Sequence, residues 1–310
     1  MRATLALFPL LLVLAACGGS GDDDAAPAAA PPAAATTAAP TPAPAATTAP
    51  TATAAQPIAK GEWAFAGGAG AKAVANVGSD GDGTTVTRLL LADAVGDATR
   101  GVHYVDGAWQ LPVPVSGAEP EGLAWNAGRA VLASTDGPSK FVTLPLDTDK
   151  TSSKVIDLSK DGTFSFDALS TDGKLLYLSQ AADATGQPVD KIRAYDIVRG
   201  SLNPDPVVDK TGDAEAMSGT TVARTRSQDG SGVYTVYEGP EHPFVHALLT
   251  DMQISVCIDL PAEPATAGAT GKWTIELSDD GRVLTATSER LGKSFVMDVT
   301  DNFPVLRGAA

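Results

Sequence analysis

A repeated two-strand unit is the feature of this sequence that most restricts its fold. Four segments each carry an apolar run, a tight turn that contains glycine, and a second apolar run. The turn glycines are Gly128, Gly173, Gly230 and Gly281, spaced by 45, 57 and 51 residues. In three of the four, aspartate precedes the glycine, and an Asp-Gly pair tolerates the positive φ angles of a type I′ turn. Each segment is therefore predicted to be a β-hairpin.

A third strand is predicted after each hairpin, and a fourth strand after three of them. The third strands are segments 140–144, 191–197, 243–248 and 293–299, and the fourth strands are 154–158, 206–208 and 255–260. A four-stranded unit that recurs every ~40–50 residues is typical of β-propeller blades. The sequence therefore predicts an all-β propeller of four-stranded blades within residues 57–310. That length favours five blades. Six blades are the alternative, because residues 63–118 fit a blade only loosely.

Two pairs of segments resemble the YVTN/TolB-like (WD40-like) group of bacterial extracytoplasmic β-propellers. They are 170–178 with 192–196, and 278–284 with 295–298. The tract 234–261 is similar to uncharacterised actinobacterial-type secreted members of that group. The resemblance covers residues 85–300 and implies the propeller fold, but it implies no particular activity.

The first 16 residues are predicted to be a lipoprotein signal peptide. A basic residue, Arg2, precedes an apolar run over 4–16. A run of this length is shorter than the ~20 residues that a membrane-spanning helix needs, and it is typical of a secretory leader. Residues 14–17, Leu-Ala-Ala-Cys, resemble the bacterial lipobox, which implies that Cys17 is acylated and becomes the new N-terminus. A plain cleaved signal with an incidental cysteine is the alternative.

A disordered linker is predicted between this cysteine and the propeller, over residues 17–56. Residues 25–56 consist of 17 Ala, 7 Pro, 7 Thr and one Gln. Such a composition buries too little apolar surface to fold, and the prolines interrupt helices. We therefore expect a lipid-anchored domain at the cell membrane, facing outside the cytoplasm, either at the cell surface or in the periplasm.

The charge of the chain argues against one class of partner. Lys and Arg number 22 against 37 Asp and Glu, which gives a formal net charge of −15. Nucleic acid binding depends on cationic contacts to phosphates. We therefore expect no nucleic acid partner. The predicted partners are the membrane, through the lipid on Cys17, and a protein or glycan of the cell envelope.

The candidate site residues are weak, and the sequence predicts no catalytic residue, metal or cofactor. His242 and His246 have a spacing that would join them at one metal on a helix. Pro243 favours a strand, where the same spacing separates them by ~13 Å. Asp213 and Glu215 are loop carboxylates that could face one end of the propeller.

Other candidate residues have ordinary structural explanations. Asp80 and Asp82 form half of a calcium loop that lacks the distal glutamate, and a polar turn explains them equally well. Glu119 and Glu121 are expected to be solvated. Cys257 lies in an alternating strand pattern and is expected to be a buried, inert thiol. The four tryptophans, Trp63, Trp109, Trp125 and Trp273, are expected to pack between blades, with a sugar-stacking platform as the alternative.

Two functions from different classes are consistent with these patterns. The favoured hypothesis is a non-catalytic binding or scaffold module, because no motif for nucleophilic, phosphate or dinucleotide chemistry is present in the sequence. The alternative is a hydrolase or lactonase with an axial active site, for which Asp213, Glu215 and His242 are the candidates. That alternative depends on analogy of fold, whereas function is determined by sites.

Overall fold

The computed structural model describes residues 72–79, 83–92, 99–146, 152–208, 217–262, 272–300 and 304–309. Within these ranges the regular structure consists of 20 strands in five antiparallel sheets. The predicted leader, Cys17, the linker and the half calcium loop at Asp80 and Asp82 lie outside the described residues. No helix in the described part of the chain is long and apolar enough to cross a membrane.

The five sheets follow one another along the chain. Sheet 1 contains β1 (Lys72–Ser79), β2 (Thr85–Ala92) and β3 (Thr99–Asp106). Sheet 2 contains β4 (Trp109–Gln110), β5 (Leu123–Ala124), β6 (Arg129–Ser134), β7 (Lys140–Pro145) and β8 (Lys154–Asp157), and both β4 and β5 pair with β6.

The other three sheets are four-stranded meanders. Sheet 3 contains β9 (Gly162–Leu169), β10 (Leu175–Asp183), β11 (Pro188–Asp196) and β12 (Ser201–Leu202). Sheet 4 contains β13 (Thr220–Arg226), β14 (Gly232–Glu238), β15 (Pro243–Leu249) and β16 (Ile254–Asp259). Sheet 5 contains β17 (Trp273–Leu277), β18 (Val283–Ser288), β19 (Lys293–Asp298) and β20 (Val305–Ala309).

The hydrophobic core is divided among the interfaces between consecutive sheets. Four buried clusters join sheet 1 to 2, 2 to 3, 3 to 4, and 4 to 5. Buried residues from the two sides of these interfaces include Leu89 and Leu132, Phe141 and Phe164, Tyr177 and Leu248, and Val245 and Phe295. Face-to-face packing of successive four-stranded sheets is the architecture of a β-propeller, and the predicted fold class is confirmed.

The strand predictions are confirmed at each of the four hairpins and at the third strands. One fourth strand is placed differently. It was expected at 206–208, but β12 at Ser201–Leu202 pairs with β11, and Val207 forms a single bridge to Ile192. The run 109–112 was assigned to the first blade, whereas Trp109 pairs with Ser134 of sheet 2.

The turns of the Asp-Gly hairpins differ from the predicted type I′. The three glycines have φ angles of 66°, 80° and 71°, but none of the preceding aspartates has a positive φ. In each turn the glycine N–H donates to the carbonyl of a serine three residues earlier, at 2.9, 3.0 and 2.8 Å. This is a type I turn followed by a left-handed glycine.

The serine side chain fixes this Ser-x-Asp-Gly turn. Ser170 Oγ donates to Asp172 Oδ1 at 2.7 Å and accepts the backbone N–H of Leu175 at 2.9 Å. Ser278 makes the equivalent bonds to Asp280 at 2.6 Å and from Val283 at 2.9 Å. Burial alone would raise the pKa of Asp172, but hydrogen bonds from Lys174 and Ser170 lower that pKa to about 2.

Replacing Ser170 with alanine should destabilise the protein by about 1–3 kcal/mol, because the N–H of Leu175 loses its side-chain acceptor in a buried turn. Urea unfolding measures the change in the free energy of unfolding. Ser153→Ala, at an exposed position, is the matched control and should change the free energy by less than about 0.5 kcal/mol. Equal effects of the two substitutions would contradict this role of the serine.

Candidate functional site

A buried arginine joins three of the sheets where their first strands converge. Arg224 lies on β13, and its side chain is 2% exposed. Its Nε donates to Glu121 Oε1 at 2.7 Å, and one terminal nitrogen donates to Glu121 Oε2 at 3.2 Å. The other donates to Asp167 Oδ1 at 2.9 Å and to Thr235 Oγ1 at 2.8 Å. A bond to the Asp167 carbonyl uses the fifth N–H donor.

The positions of these partners identify the axis of the propeller. Glu121 precedes β5 of sheet 2, Asp167 lies on β9 of sheet 3, and Arg224 belongs to sheet 4. Sheets 2 and 4 lie on opposite sides of sheet 3. They can meet in one ion pair only where the inner strands approach the axis. Glu121 is therefore an interior residue and not the solvated surface carboxylate that the sequence suggested.

This network pairs one buried guanidinium with two buried carboxylates. Burial of Arg224 would lower its pKa, but the carboxylates of Glu121 and Asp167 more than compensate and raise the pKa above its ordinary value. A guanidinium with all five donors bonded has no remaining donor for a ligand. The Arg224 network is thus a structural element of the axis.

His246 lies beside this network but is uncharged at neutral pH. It is paired in register with Thr235 on β14 and is 1% exposed. Burial lowers the pKa of His246 to about 4, with the nearby Asp167 carboxylate opposing the shift and Arg224 adding to it. Its ring meets that of Tyr237 edge-on, with the centroids 6.1 Å apart. Its Nε2 has no hydrogen-bond partner among the described residues.

A cavity opens above the network at what we call the turn end, the end that carries loops 125–128, 170–174, 227–231 and 278–282. Glu121 lies at its base, and the cavity has a volume of about 80 Å³. A wider cavity of about 1110 Å³ adjoins it. The two cavities share Asn126, Arg226, Gln228 and Asp229. Because residues of sheets 2, 3, 4 and 5 line them, they form one axial mouth.

The candidate residue His242 lies away from this mouth. His242 follows the turn between β14 and β15, so it is at the far end, opposite the turn end. Its Nε2 contacts Asp259 Oδ1 at 2.8 Å, and its side chain is 38% exposed. Asp213 and Glu215 lie outside the described residues. The structure therefore describes only one of the three hydrolase candidates, His242. The prediction of a strand rather than a helix around Pro243 is confirmed.

The prediction for Cys257 is wrong, because its side chain is exposed. Cys257 lies on β16, the outermost strand of sheet 4. In that strand Val256, Ile258 and Leu260 alternate toward the core, whereas Cys257 shares its face with Asp259. The period of two in the sequence contained this information, but cysteine was assigned by its apolar character and not by its position in the alternation.

The described tryptophans have different surroundings. Trp109 and Trp273 are buried and donate their indole N–H groups to the Asp106 carbonyl and to Glu238 Oε1, both at 2.7 Å. This confirms packing at those two positions. Trp125 is half-buried, packs against the core between sheets 1 and 2, and also lines the axial mouth. Trp63 lies outside the described residues.

No group of three or more His, Cys, Asp or Glu side chains suited to a metal ion occurs in the described ranges. Sequence reasoning missed Arg224 and Arg226 as axial residues. Both occupy alternate positions of a first strand, Val-Ala-Arg-Thr-Arg. That alternation of arginines in a predicted strand was the available signal.

Comparisons with known proteins find only distant structural likenesses. No family model matches the chain, and no curated protein matches it. A putative 6-phosphogluconolactonase from Bacteroides uniformis ATCC 8492 is similar at 19% identity, covering 77% of this chain and 68% of that one, with a TM-score of 0.44. The β-propeller domain of Cps50 (Swd1) from Myceliophteria thermophila is similar at 10% identity, covering 80% and 74%, with a TM-score of 0.40.

The Dos1 propeller is similar at 12% identity, covering 72% of this chain and 56% of that one, with a TM-score of 0.39. Because these TM-scores lie below 0.5, the assignment depends on the five sheets of this chain and not on the likenesses. The chain is an all-β propeller protein.

Replacing Arg224 with methionine should destabilise the protein by about 3–5 kcal/mol, because two buried carboxylates lose their counter-charge. Denaturant unfolding measures this. Adding Glu121→Gln and Asp167→Asn to the methionine variant should recover part of the loss, since it removes the unpaired charges. Arg88→Met, at an exposed position on β2, is the surface control. If the two further substitutions lower the free energy of unfolding still more, the charge explanation is contradicted.

Acidification should destabilise the protein partly through His246. Its pKa is about 4 when folded, against an ordinary value of 6.5. The unfolded state therefore binds more protons between these values, and stability falls as the pH decreases from 6.5 to 4. His246→Gln should remove this component. The test is to measure the free energy of unfolding of both proteins from pH 7.5 to 4. If the free energy has the same pH dependence in both, His246 does not contribute to the acid destabilisation.

Proposed function

We propose that this protein is an envelope-anchored extracytoplasmic lipoprotein, of the YVTN/TolB-like type, whose propeller is a non-catalytic binding or scaffold module. The leader over 1–16, the lipobox ending at Cys17 and the linker over 17–56 support the anchoring. The propeller supports the binding role, because it holds loops from several sheets in a fixed arrangement at each end.

One observation carries the choice of a binding module over an enzyme. The interior carboxylates Glu121 and Asp167 are bonded to Arg224, and the neighbouring His246 is kept neutral by burial. General acid–base catalysis needs groups that titrate near the working pH and reach a substrate. The buried groups at the axis are therefore suited to a structural role. The axial mouth, by contrast, presents polar side chains to solvent.

The hydrolase or lactonase alternative has less support. Of its three candidates, His242 lies at the far end in a pair with Asp259. An imidazole at this place cannot act together with groups at the axial mouth, which opens at the opposite end. We therefore place the functional surface at the turn end.

Site-specific photo-crosslinking in cells tests the proposal. A photoreactive residue replaces Gln228 at the axial mouth or Glu241 at the far end, both exposed positions. We expect one discrete adduct in the membrane fraction from position 228 and none of that adduct from position 241. Adding Cys17→Ser should remove the acyl group, seen by mass spectrometry, and release the protein from the membrane.

Three outcomes would contradict the proposal. The same adduct from both positions would show that the partner does not bind specifically at the turn end. A Cys17→Ser protein that stays in the membrane fraction would exclude the lipid anchor. Turnover of lactone or ester substrates that His242→Ala abolishes would favour the enzyme.

A further inference from the structure

The axial mouth contains a cation without a counter-ion among the described residues. Arg226 lies two positions after Arg224 on β13, so both side chains project from the same face of the strand. The Arg224 guanidinium is fully bonded, whereas that of Arg226 makes no hydrogen bond or ion pair with any residue that the structure describes. It is half-buried and lines both cavities of the mouth.

Two acidic groups that line the wider cavity together with Arg226 form hydrogen bonds with other residues. Asp229 Oδ1 accepts bonds from Ser227 Oγ at 2.7 Å and from the backbone N–H and Oγ of Ser231 at 3.0 and 2.8 Å. Asp251 accepts from Thr171 Oγ1 at 2.6 Å. A planar guanidinium held in a cavity favours a carboxylate, which can accept two parallel hydrogen bonds.

The rim of the mouth has the opposite charge. Asp251, Asp279 and Asp280 line the wider cavity and are exposed. The narrow cavity has a mixed lining, with apolar residues such as Leu123 and Phe166 beside polar ones such as Asn126. A positive centre within a negative rim is complementary to a ligand that carries one carboxylate flanked by basic groups. A polyanion would be repelled by the rim.

We propose that the axial mouth binds a peptide segment of a protein partner, with one carboxylate of the peptide on Arg226 and flanking Lys or Arg side chains on the aspartate rim. This inference rests on the proposed binding function and specifies its ligand. A peptide provides this alternation of charge within a few residues, whereas acidic glycans repeat one sign. The narrow cavity of about 80 Å³ accepts a single short side chain.

Synthetic peptides test this charge pattern on the full-length protein. The probe is acetylated and amidated Lys-Ala-Glu-Ala-Lys, and its analogues are Lys-Ala-Gln-Ala-Lys and Glu-Ala-Glu-Ala-Glu. Binding is measured by titration calorimetry and by the tryptophan fluorescence, to which Trp125 at the mouth contributes. We expect the probe to bind about tenfold or more tightly than either analogue, since a charged hydrogen bond contributes about 1.5–3 kcal/mol.

Substitutions in the protein locate the binding. Arg226→Gln should weaken binding of the probe about tenfold or more and leave the Gln analogue unchanged. Arg88→Gln, at an exposed arginine of sheet 1, should change neither. Asp279→Asn should weaken the probe by a smaller factor, and added salt should reduce that difference because exposed charges are screened. Thermal unfolding checks that each variant is folded.

Equal binding of the probe and its Gln analogue, or tighter binding of oligogalacturonate than of the probe, would overturn the peptide proposal. An adduct from position 228 that persists unchanged in Arg226→Gln would also overturn it, while leaving the binding module in place. Absence of any adduct from position 228 in the unsubstituted protein would instead refute the proposed function itself.

Discussion

The ion network around Arg224 is the interaction on which the axis of this propeller depends. Burying three charged groups is costly, and their mutual attraction compensates only when the geometry satisfies all of them. Here every guanidinium donor has an acceptor, supplied by Glu121, Asp167 and Thr235 from three sheets, whereas Asp167 Oδ2 has no hydrogen-bond partner among the described residues. An apolar contact is non-directional, whereas this network fixes the angle at which the sheets meet. The apolar clusters between sheets supply the burial, and the network specifies their arrangement.

The sequence predicted most of the architecture because strand alternation and turn glycines are local signals. The hairpins at 122–132, 164–177, 222–234 and 273–284 correspond to β5–β6, β9–β10, β13–β14 and β17–β18. The turn type was wrong, since an Asp-Gly pair alone does not distinguish type I′ from a turn fixed by a serine three residues before the glycine. The assignment of 109–112 to the first blade failed because the pairing of Trp109 with Ser134, 25 residues later, is not encoded locally.

The candidate site could not be predicted in the same way. Glu121, Asp167 and Arg224 are separated by 46 and 57 residues in the chain, and each is unremarkable in its own segment. Their convergence follows from the packing of sheets 2, 3 and 4 against one another, which is a property of the domain and not of any one segment. His242 and Cys257 were singled out for their chemistry, yet they lie toward the far end and on an outer strand. Residue type indicates which side chains are reactive, whereas the fold determines which of them lie close together.

In the Ser-x-Asp-Gly turns, the residues that stabilise the turn differ from the residue that faces the cavities. Serine, aspartate and glycine form the turn through bonds with one another and with the backbone. The x residues, Thr171, Gln228 and Asp279, all line cavities at the turn end. Selection can therefore exchange these three side chains without altering the hydrogen bonds that hold the hairpins. Substitutions at these three positions alone would give propellers that share one scaffold and differ in what they bind.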